Sequence, residues 1–311
     1  MNDINIMILG ASGRIANSLI RFFRLETNHR LILLSNFPEK LPRYEGYDYQ
    51  KINSLDFKEI KNVCFKEKPE IIINAAGYTD VDKSETERNT AWDLNVTLAE
   101  NLASISRVID SHLISFSSDY VFDGLKGPYT ELDKQNPINF YGRTKHGMEN
   151  ACLYNLNTST VIRTNCIYGS EARGKTDFIR WVLYKLEQGF GFEIVNGQFC
   201  NPTYTEDIAV VVNKVISKKR YGIYHAGGPD WLSRYDIAVK TARIFSQDET
   251  LIKPINPSQL EQSAKRPNKG GLVTLKAQTD LGIEFTSLES GLMTLKQSMR
   301  DSRFTFVMKG G

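Results

Sequence analysis

The sequence predicts an α/β protein with a doubly wound parallel sheet and a smaller lobe towards the C-terminus. In the first half of the chain, short β-branched runs alternate with longer amphipathic segments. This alternation is typical of parallel strands covered by helices on both faces. After about residue 168 the elements become shorter, and Gly and Pro become more frequent. We therefore expect a main domain at 1–168, to which about 203–228 returns, and a smaller lobe at 169–311.

The main domain is predicted to hold five strands and four long helices. The strands lie at 4–9, 30–35, 70–74, 112–118 and 159–164, and the helices lie at about 14–26, 55–67, 81–109 and 140–155. The run GIYHAGG at 222–228 is expected to return to the main sheet as a further strand.

Composition excludes several classes of protein. With 311 residues, 41% hydrophobic and 24% charged, the chain can bury a sizeable core, and disorder is not expected. Its apolar runs are far shorter than a membrane span and no leader precedes the first strand, so we expect a cytoplasmic protein without a membrane partner. A formal charge of +3 is too small to indicate a nucleic-acid partner. Four scattered cysteines without metal-ligand spacing predict buried free thiols and no metal.

The first chemical motif is the turn in IMILGASGRIA. A buried strand ends at Gly10, and residues through Ser12 and Gly13 turn the chain into a helix that begins near Arg14. The free N–H groups at such a helix start can bind a pyrophosphate, and glycine leaves room for its close approach. Taken alone, the motif fits a plain tight turn equally well.

The end of the second strand bears on the choice of dinucleotide. It reads LLSNF and offers Ser35 and Asn36 where an NAD site usually has a carboxylate. Arg14, Lys40 and Arg43 lie nearby in the sequence. Together these residues favour NADP(H), although the basic side chains could simply be solvated surface.

Two further strands end in small or hydroxylated residues. INAAGYTD lets the backbone at Ala75 and Ala76 pass close to a ligand, and SFSSDYVFDG carries hydroxyls to the strand end at Ser117 and Ser118. Ligands of doubly wound folds bind at this carboxyl edge of the sheet.

Tyr141 and Lys145 are spaced to share one face of a helix. The unperturbed pKa of tyrosine is about 10, so a free phenol is a poor acid or base near neutrality. A nearby ammonium stabilises the phenolate, lowers the pKa and makes the phenol a usable proton donor. As a bare pattern, an exposed helix pair is the simpler interpretation.

The order of these motifs resembles the extended short-chain dehydrogenase/reductases, which have a Rossmann-like fold. Within that superfamily the chain is most similar to the dTDP-4-dehydrorhamnose reductases and related sugar-nucleotide reductases. The motifs that carry the resemblance are NAAGYTDVDKSE, SSDYVFDG, PYTELDKQNPINFYGRTKHGME, VIRTNCIYG, NPTYTEDIA, GIYHAGGPDWLSRYDIA and RPNKGG.

The resemblance implies reduction of the 4-keto group of a dTDP-linked 6-deoxyhexose by NADPH, with NADH as an alternative cofactor. Ser118 would hydrogen-bond the ketone, Tyr141 would deliver the proton, and Lys145 would tune Tyr141 and hold the nicotinamide ribose. The implied cofactor-binding residues are Gly10, Ser12, Gly13, Arg14, Ser35, Asn36, Ala75, Ala76, Tyr78, Asn95, Tyr141 and Lys145. The implied substrate-binding residues are Asp119, Val121, Phe122, Cys166 and Arg266.

The sequence also departs from the family pattern. Cys166 stands where rhamnose-pathway members commonly have a tryptophan, which removes an apolar face for the sugar. Gly197 and Cys200 also replace the usual Asp and Gly. These changes fall in the substrate lobe, so reductase chemistry is better supported than the identity of the sugar.

Three other functions are alternatives to a sugar-nucleotide reductase. A 4,6-dehydratase would need a second carboxylate after Asp119, where the chain has Tyr120. A sugar epimerase uses the same Tyr and Lys, but its neighbouring motifs fit less well. The regulatory beta subunit of methionine adenosyltransferase, which binds NADP, also resembles this family. The helices at 81–109 and 140–155 could pair across a homodimer or simply cover the sheet.

Overall fold

The computed structural model describes residues 3–37, 48–170 and 176–301. Its main sheet has seven strands in the order β11-β6-β5-β4-β1-β2-β3, and every neighbouring pair is parallel. The strands are β1 (Asn5–Leu9), β2 (Arg30–Ser35), β3 (Asp48–Lys51), β4 (Ile71–Asn74), β5 (His112–Ser118), β6 (Ser159–Thr164), β7 (Ile167–Tyr168), β8 (Phe192–Val195), β9 (Phe199–Cys200), β10 (Thr203–Tyr204), β11 (Gly222–Ala226), β12 (Leu232–Ser233) and β13 (Ile252–Ile255). The predicted fold class is confirmed.

Helices cover both faces of this sheet. The helices of the described residues are α1 (Arg14–Glu26), α2 (Phe57–Glu67), α3 (Arg88–Trp92), α4 (Leu98–Ile109), α5 (Phe140–Asn155), α6 (Phe178–Glu187), α7 (Thr205–Ser217), α8 (Arg234–Phe245), α9 (Leu275–Leu281) and α10 (Leu288–Asp301). Within the described residues, none of them is long and apolar enough to cross a membrane.

The central strand β1 is apolar along most of its length because both of its faces are buried. In β1, Ile6 and Ile8 belong to the core shared with α1 and α7, whereas Met7 and Leu9 belong to the core shared with α2, α4 and α5. Successive strand side chains point to opposite faces, so a continuous apolar run is what a doubly wound sheet requires.

Two parts of the main domain differ from the sequence prediction. The strand β3 was not predicted, because Asp48–Lys51 reads DYQK and pairs only at the edge of the sheet. The segment 81–109, predicted as one helix, is broken: a 3₁₀ turn, Lys83–Glu85, precedes α3, and a π turn, Asp93–Thr97, separates α3 from α4. Such π turns are rare and often occur at functional sites.

The remaining elements form a second layer beside the carboxyl ends of the sheet. Here α6 and α8 pack on the small parallel pair of β8 and β13, and α10 closes a separate apolar cluster with Tyr168, Ile179 and Ile237. The strand β11 returns to the main sheet and pairs with β6.

Candidate active site

A cavity of about 230 Å³ opens at the carboxyl ends of β4, β5 and β6. It lies beside the point where β1 is flanked by β2 on one side and β4 on the other. Doubly wound sheets bind their ligands at such a switch in strand order. Of the residues predicted from the sequence, the cavity brings together Ala75, Ala76, Ser118, Tyr141, Lys145 and Cys166.

The turn after β1 is built for a close approach of backbone. Gly10 has a φ of +78°, and a Cβ there would lie 2.5 Å from the amide nitrogen of Ala76. Gly13 is the N-cap of α1 and offers no side chain to the first-turn N–H groups. This helix start can therefore receive an anion.

Ser35, at the end of β2, hydrogen-bonds the glycine turn that follows β1. The Ser35 hydroxyl is buried and donates to Ser12 Oγ at 3.0 Å, and Asn36 Oδ1 accepts from the Ser54 hydroxyl at 2.7 Å. Ser35 and Asn36 thus replace a carboxylate here, while the basic residues Lys40 and Arg43 lie outside the described residues.

Arg14 has a different environment from the expected one. Its guanidinium is buried and lies 2.9 Å from a carboxylate oxygen of Asp177, which is the N-cap of α6. The same oxygen accepts from Arg180 at 2.7 Å. The carboxylate of Asp177 at the start of α6 therefore neutralises the charge of Arg14. Arg14 is weaker evidence for NADP(H) than the sequence suggested.

Asn95 in the π turn holds the loop after β4. Its side-chain oxygen accepts from the Tyr78 N–H at 2.9 Å, and its amide donates to the Tyr78 carbonyl at 3.1 Å and to Thr144 Oγ1 at 2.7 Å. Three hydrogen bonds from one buried side chain fix this loop against α5. The structure places Asn95 behind the cavity wall, where it positions backbone.

The helix α5 presents Tyr141 and Lys145 to the cavity. Asn139 caps its start by accepting from the Gly142 N–H at 2.7 Å. A Cβ at Gly142 would lie 2.1 Å from the Tyr120 carbonyl, so only glycine allows α5 this close to the loop after β5. That contact brings Tyr141 to the cavity that Ser118 also lines.

Burial is the main cause of the shift in the pKa of Tyr141. It raises the pKa of the phenol, the neighbouring Tyr120 raises it further, and the Ser118 hydrogen bond lowers it. We predicted a pKa lowered by Lys145; the direction is the opposite, because loss of hydration disfavours the phenolate more strongly. A phenol that stays protonated at neutral pH still suits a proton donor.

Lys145 is buried beneath Tyr141. Its Nζ donates to the Phe116 carbonyl at 3.0 Å and lies 5.9 Å from the centroid of the Tyr141 ring. Burial lowers the pKa of Lys145 to about 8, and the nearby Glu149 opposes this shift. The ammonium is therefore the form present at neutral pH.

Glu149 belongs to a buried network behind the site. Both of its carboxylate oxygens accept from Arg163, at 2.7 and 2.8 Å, and Arg163 also contacts His225 at 3.2 Å. Burial, followed by the charge of Arg163, lowers the pKa of His225 to about 3, so this histidine is neutral. The network fastens α5 to β6 and β11.

Three residues expected to contact substrate are buried instead. Asp119 accepts from Asn165 at 2.9 Å and from the Gly271 N–H at 3.1 Å, and burial raises its pKa. Val121 and Phe122 have no exposed surface, and the Phe122 ring stacks on Tyr129 with centroids 4.3 Å apart. These side chains anchor the loop after β5, and of the three only Asp119 lines a cavity, a small one beside Ser118.

Arg266 lies at a neighbouring cleft. It forms a two-pronged ion pair with Asp82, at 2.6 and 3.0 Å, and that contact lowers the pKa of Asp82. The cleft, of about 390 Å³, also includes Tyr120 and Arg234. Arg266 is thus close to the loop that carries Ser118 but outside the catalytic cavity.

Three polar atoms of the cavity wall lack a partner in the structure. They are Asn74 Oδ1, Ser117 Oγ and Thr164 Oγ1, at the ends of β4, β5 and β6. Buried polar atoms are almost always hydrogen-bonded, so these three point to a ligand that completes them. Thr164 was missed from the sequence; its signal was a hydroxyl ending a buried strand, as at Ser117.

In the described ranges, no group of three or more His, Cys, Asp or Glu side chains is placed to hold a metal ion. The absence of a metal stays a prediction from the sequence.

The fold and the site together define a Rossmann-like protein whose serine, tyrosine and lysine meet at a cofactor-type cavity. The chain belongs to the family described as the RmlD substrate binding domain, whose model matches residues 4–300.

Similar proteins include a dTDP-4-dehydrorhamnose reductase and the beta subunits of methionine adenosyltransferase 2. A dTDP-4-dehydrorhamnose reductase of Aggregatibacter actinomycetemcomitans is 29% identical, covering 94% of this chain and 98% of its own. The methionine adenosyltransferase 2 subunit beta of Xenopus laevis is 30% identical, covering 80% of this chain and 74% of its own.

Solved structures agree with the fold. The Bacillus anthracis dTDP-4-dehydrorhamnose reductase in complex with NADP is 26% identical with a TM-score of 0.81, covering 94% of this chain and 99% of that one. The Clostridium acetobutylicum dTDP-4-dehydrorhamnose reductase is 25% identical with a TM-score of 0.83, covering 97% and 100%.

Proposed function

We propose that this protein is a sugar-nucleotide reductase that uses NADPH to reduce the 4-keto group of a nucleotide-activated deoxysugar. The substrate we infer is dTDP-4-dehydro-6-deoxy-L-mannose, which gives dTDP-L-rhamnose. The observation that carries the proposal is the meeting of Ser118, Tyr141 and Lys145 at one cavity. The dTDP-4-dehydrorhamnose reductases among its relatives support the choice of substrate.

The residues present fit a nicotinamide dinucleotide. The open start of α1 and the tight approach of Gly10 to Ala76 suit a pyrophosphate. The unpartnered Ser117 and Thr164 hydroxyls supply hydrogen bonds deeper in the cavity. The absence of a carboxylate at Ser35 and Asn36 favours NADPH, with NADH as an alternative, and an NADP complex of a relative supports the same choice.

Each catalytic side chain has a distinct task in this proposal. When bound, the cofactor supplies the hydride that reaches C4 of the sugar. Ser118 orients the keto oxygen, and Tyr141 gives its proton to that oxygen as negative charge develops on it. Lys145 places a positive charge beneath the ring of Tyr141, which stabilises the phenolate left behind.

The test is NADPH consumption in the presence of dTDP-4-dehydro-6-deoxy-L-mannose, with Tyr141→Phe as the diagnostic variant. The variant keeps the ring but loses the proton, so it should still bind NADPH while turnover falls about 100-fold or more. Tyr154→Phe is the matched control, because Tyr154 lies on the same helix α5 but is exposed and away from the cavity, so its turnover should match that of wild type. Equal turnover of wild type and Tyr141→Phe would remove Tyr141 from the mechanism.

A second candidate function is that of a non-catalytic regulatory subunit which binds NADP. It is favoured by the 28–30% identity to methionine adenosyltransferase 2 subunit beta. The same assay separates the two functions: NADPH binding without consumption of any dTDP-, GDP- or UDP-linked keto sugar would support the regulatory function. Another sugar-nucleotide reductase or epimerase would show turnover with a different sugar.

The remaining inferences are less specific. We infer a nucleotide sugar as partner, with Cys166 and Arg266 near its binding cleft. A homodimer and a cytoplasmic location are predictions, which light scattering and cell fractionation would test.

A further inference from the structure

Two cysteines that depart from the family pattern lie together beside Ser118. Cys166 lies between β6 and β7 with a φ of +40°, and Cys200 ends β9. Both line a small cavity of about 60 Å³ that also includes Ser118 and Arg234. Two of the three substitutions noted in the sequence, Cys166 and Cys200, therefore change one place in the molecule.

The contacts of this pair are those of a thiolate and its donor. The Arg234 guanidinium donates to Cys166 Sγ at 2.9 Å, and Cys200 lines the same small cavity as Cys166. Throughout the described part of the chain, no carboxylate forms an ion pair with Arg234. A thiolate at Cys166 would neutralise the positive charge of Arg234.

The titration of the two sulfurs agrees with this geometry. The hydrogen bond from Cys200 lowers the pKa of Cys166 against the effect of burial, and Arg234 lowers it further. The pKa of Cys200 is raised, because its proton is held by the Cys166 sulfur. By contrast, burial alone raises the pKa of Cys64 to about 12, and burial is the main cause that raises that of Cys152 to about 11.

We propose that Cys166 and Cys200 form a peroxide-reactive dithiol in the substrate cleft, which a hydroperoxide converts into a reversible disulfide. This goes beyond the proposed reductase activity and does not depend on it. Cys166 is half-buried on the cavity wall, held by a cation, and adjacent to a second thiol, which is the setting of redox-sensitive cysteines.

The chemistry balances in two steps. The Cys166 thiolate attacks one peroxide oxygen, the O–O bond breaks, and the leaving hydroxide takes a proton to become water. The Cys200 sulfur then attacks the sulfenic sulfur of Cys166, the Cys200 proton leaves with the hydroxyl as a second water, and the S–S bond forms. The two thiols lose two electrons in total and hydrogen peroxide gains them. A dithiol reductant reverses the reaction by thiol exchange.

The disulfide would change the catalytic cavity. It removes the Cys166 acceptor from Arg234 and ties the β6–β7 segment to β9, next to Ser118. We therefore expect substrate access to fall while the disulfide is present.

The experiment treats the full chain with equimolar hydrogen peroxide and maps the thiols by mass spectrometry. Wild type should lose two hydrogen masses, with a Cys166–Cys200 crosslink that dithiothreitol reverses. Cys200→Ser should stop at a Cys166 sulfenic acid that dimedone traps, and Arg234→Gln should slow the reaction of Cys166. With iodoacetamide, Cys166 of the untreated protein should react about 10-fold or more faster than Cys64.

Cys64→Ser and Cys152→Ser are the matched controls, since each removes a thiol and leaves the pair intact; both should form the crosslink as wild type does. The proposal is overturned if peroxide leaves Cys166 and Cys200 reduced, if oxidation occurs at Cys64 or Cys152, or if the only disulfide joins two chains. Because the readout is mass, it holds whether or not the protein reduces a sugar.

Discussion

Tyr141 and Lys145 show how burial changes a catalytic pair. On an exposed helix their spacing would lower the pKa of the phenol, but here burial raises the pKa of Tyr141 and lowers that of Lys145 to about 8. Each shift favours the neutral form of its group. At neutral pH the phenol is protonated and the lysine is still charged, which is the pairing that proton donation needs.

The titration of Lys145 predicts an alkaline limit to the activity. Its ammonium is present below pH about 8 and is lost as the pH rises through that value. We therefore expect kcat/KM for keto-sugar reduction to fall above pH about 8, since this parameter reports groups of the free enzyme. The measurement is a pH profile from pH about 6 to 10.

Lys145→Arg tests the origin of that limit. Arginine stays protonated over this range, so the variant should be slower overall but should lose the fall above pH about 8. Lys58→Arg, on an exposed turn of α2, should keep the wild-type profile. A fall that persists unchanged in Lys145→Arg would assign it to another group.

At the level of elements, α5 depends on the buried pair of Glu149 and Arg163. Both side chains have almost no exposure, and their nitrogen and oxygen atoms lie 2.7 Å apart. Arg163→Met would leave the Glu149 carboxylate buried without its cation. We expect a loss of about 3–5 kcal/mol in the free energy of unfolding, measured by urea denaturation.

Arg243→Gln is the control, because it breaks an ion pair with Glu249 at the surface, where both side chains are exposed. That change should leave stability nearly unaffected. If Arg163→Met were as mild as Arg243→Gln, water or another group must satisfy Glu149.

The elements also show what sequence patterns can predict. β1, β2, β4, β5 and β6 were predicted because each is a short run with β-branched or apolar residues between amphipathic segments, a local signal. The break between α3 and α4 was not, since it depends on Asn95 bonding to Tyr78, which is remote in the sequence. Similarly, Phe122 looked like a ligand contact, but its stacking on Tyr129 buries it.

Across the whole molecule, an ion-pair cluster that no local pattern could reveal joins the start of α1 to the start of α6. Arg14 follows the glycine turn after β1, while Asp177 and Arg180 lie at the start of α6. All three side chains are buried, and the single carboxylate of Asp177 forms ion pairs with both guanidinium groups. The sequence placed Arg14 near the cofactor from its position alone, since its partner became visible only in the folded chain.

Asp177→Asn should therefore weaken the contact between α1 and α6. The amide can still accept the Arg180 N–H, a contact of 2.8 Å that caps α6, but the carboxylate that both Arg14 and Arg180 contact would be lost. We expect the free energy of unfolding in urea to fall by about 3–5 kcal/mol, the usual effect of breaking a buried ion pair.

Asp56→Asn is the matched control, because Asp56 caps α2 through the Glu59 N–H in the same way and is exposed. Asparagine and aspartate cap helices about equally well, so that variant should differ little from wild type. Equal stability of the two variants would mean that apolar contacts, and not this ion-pair cluster, hold α6 against α1.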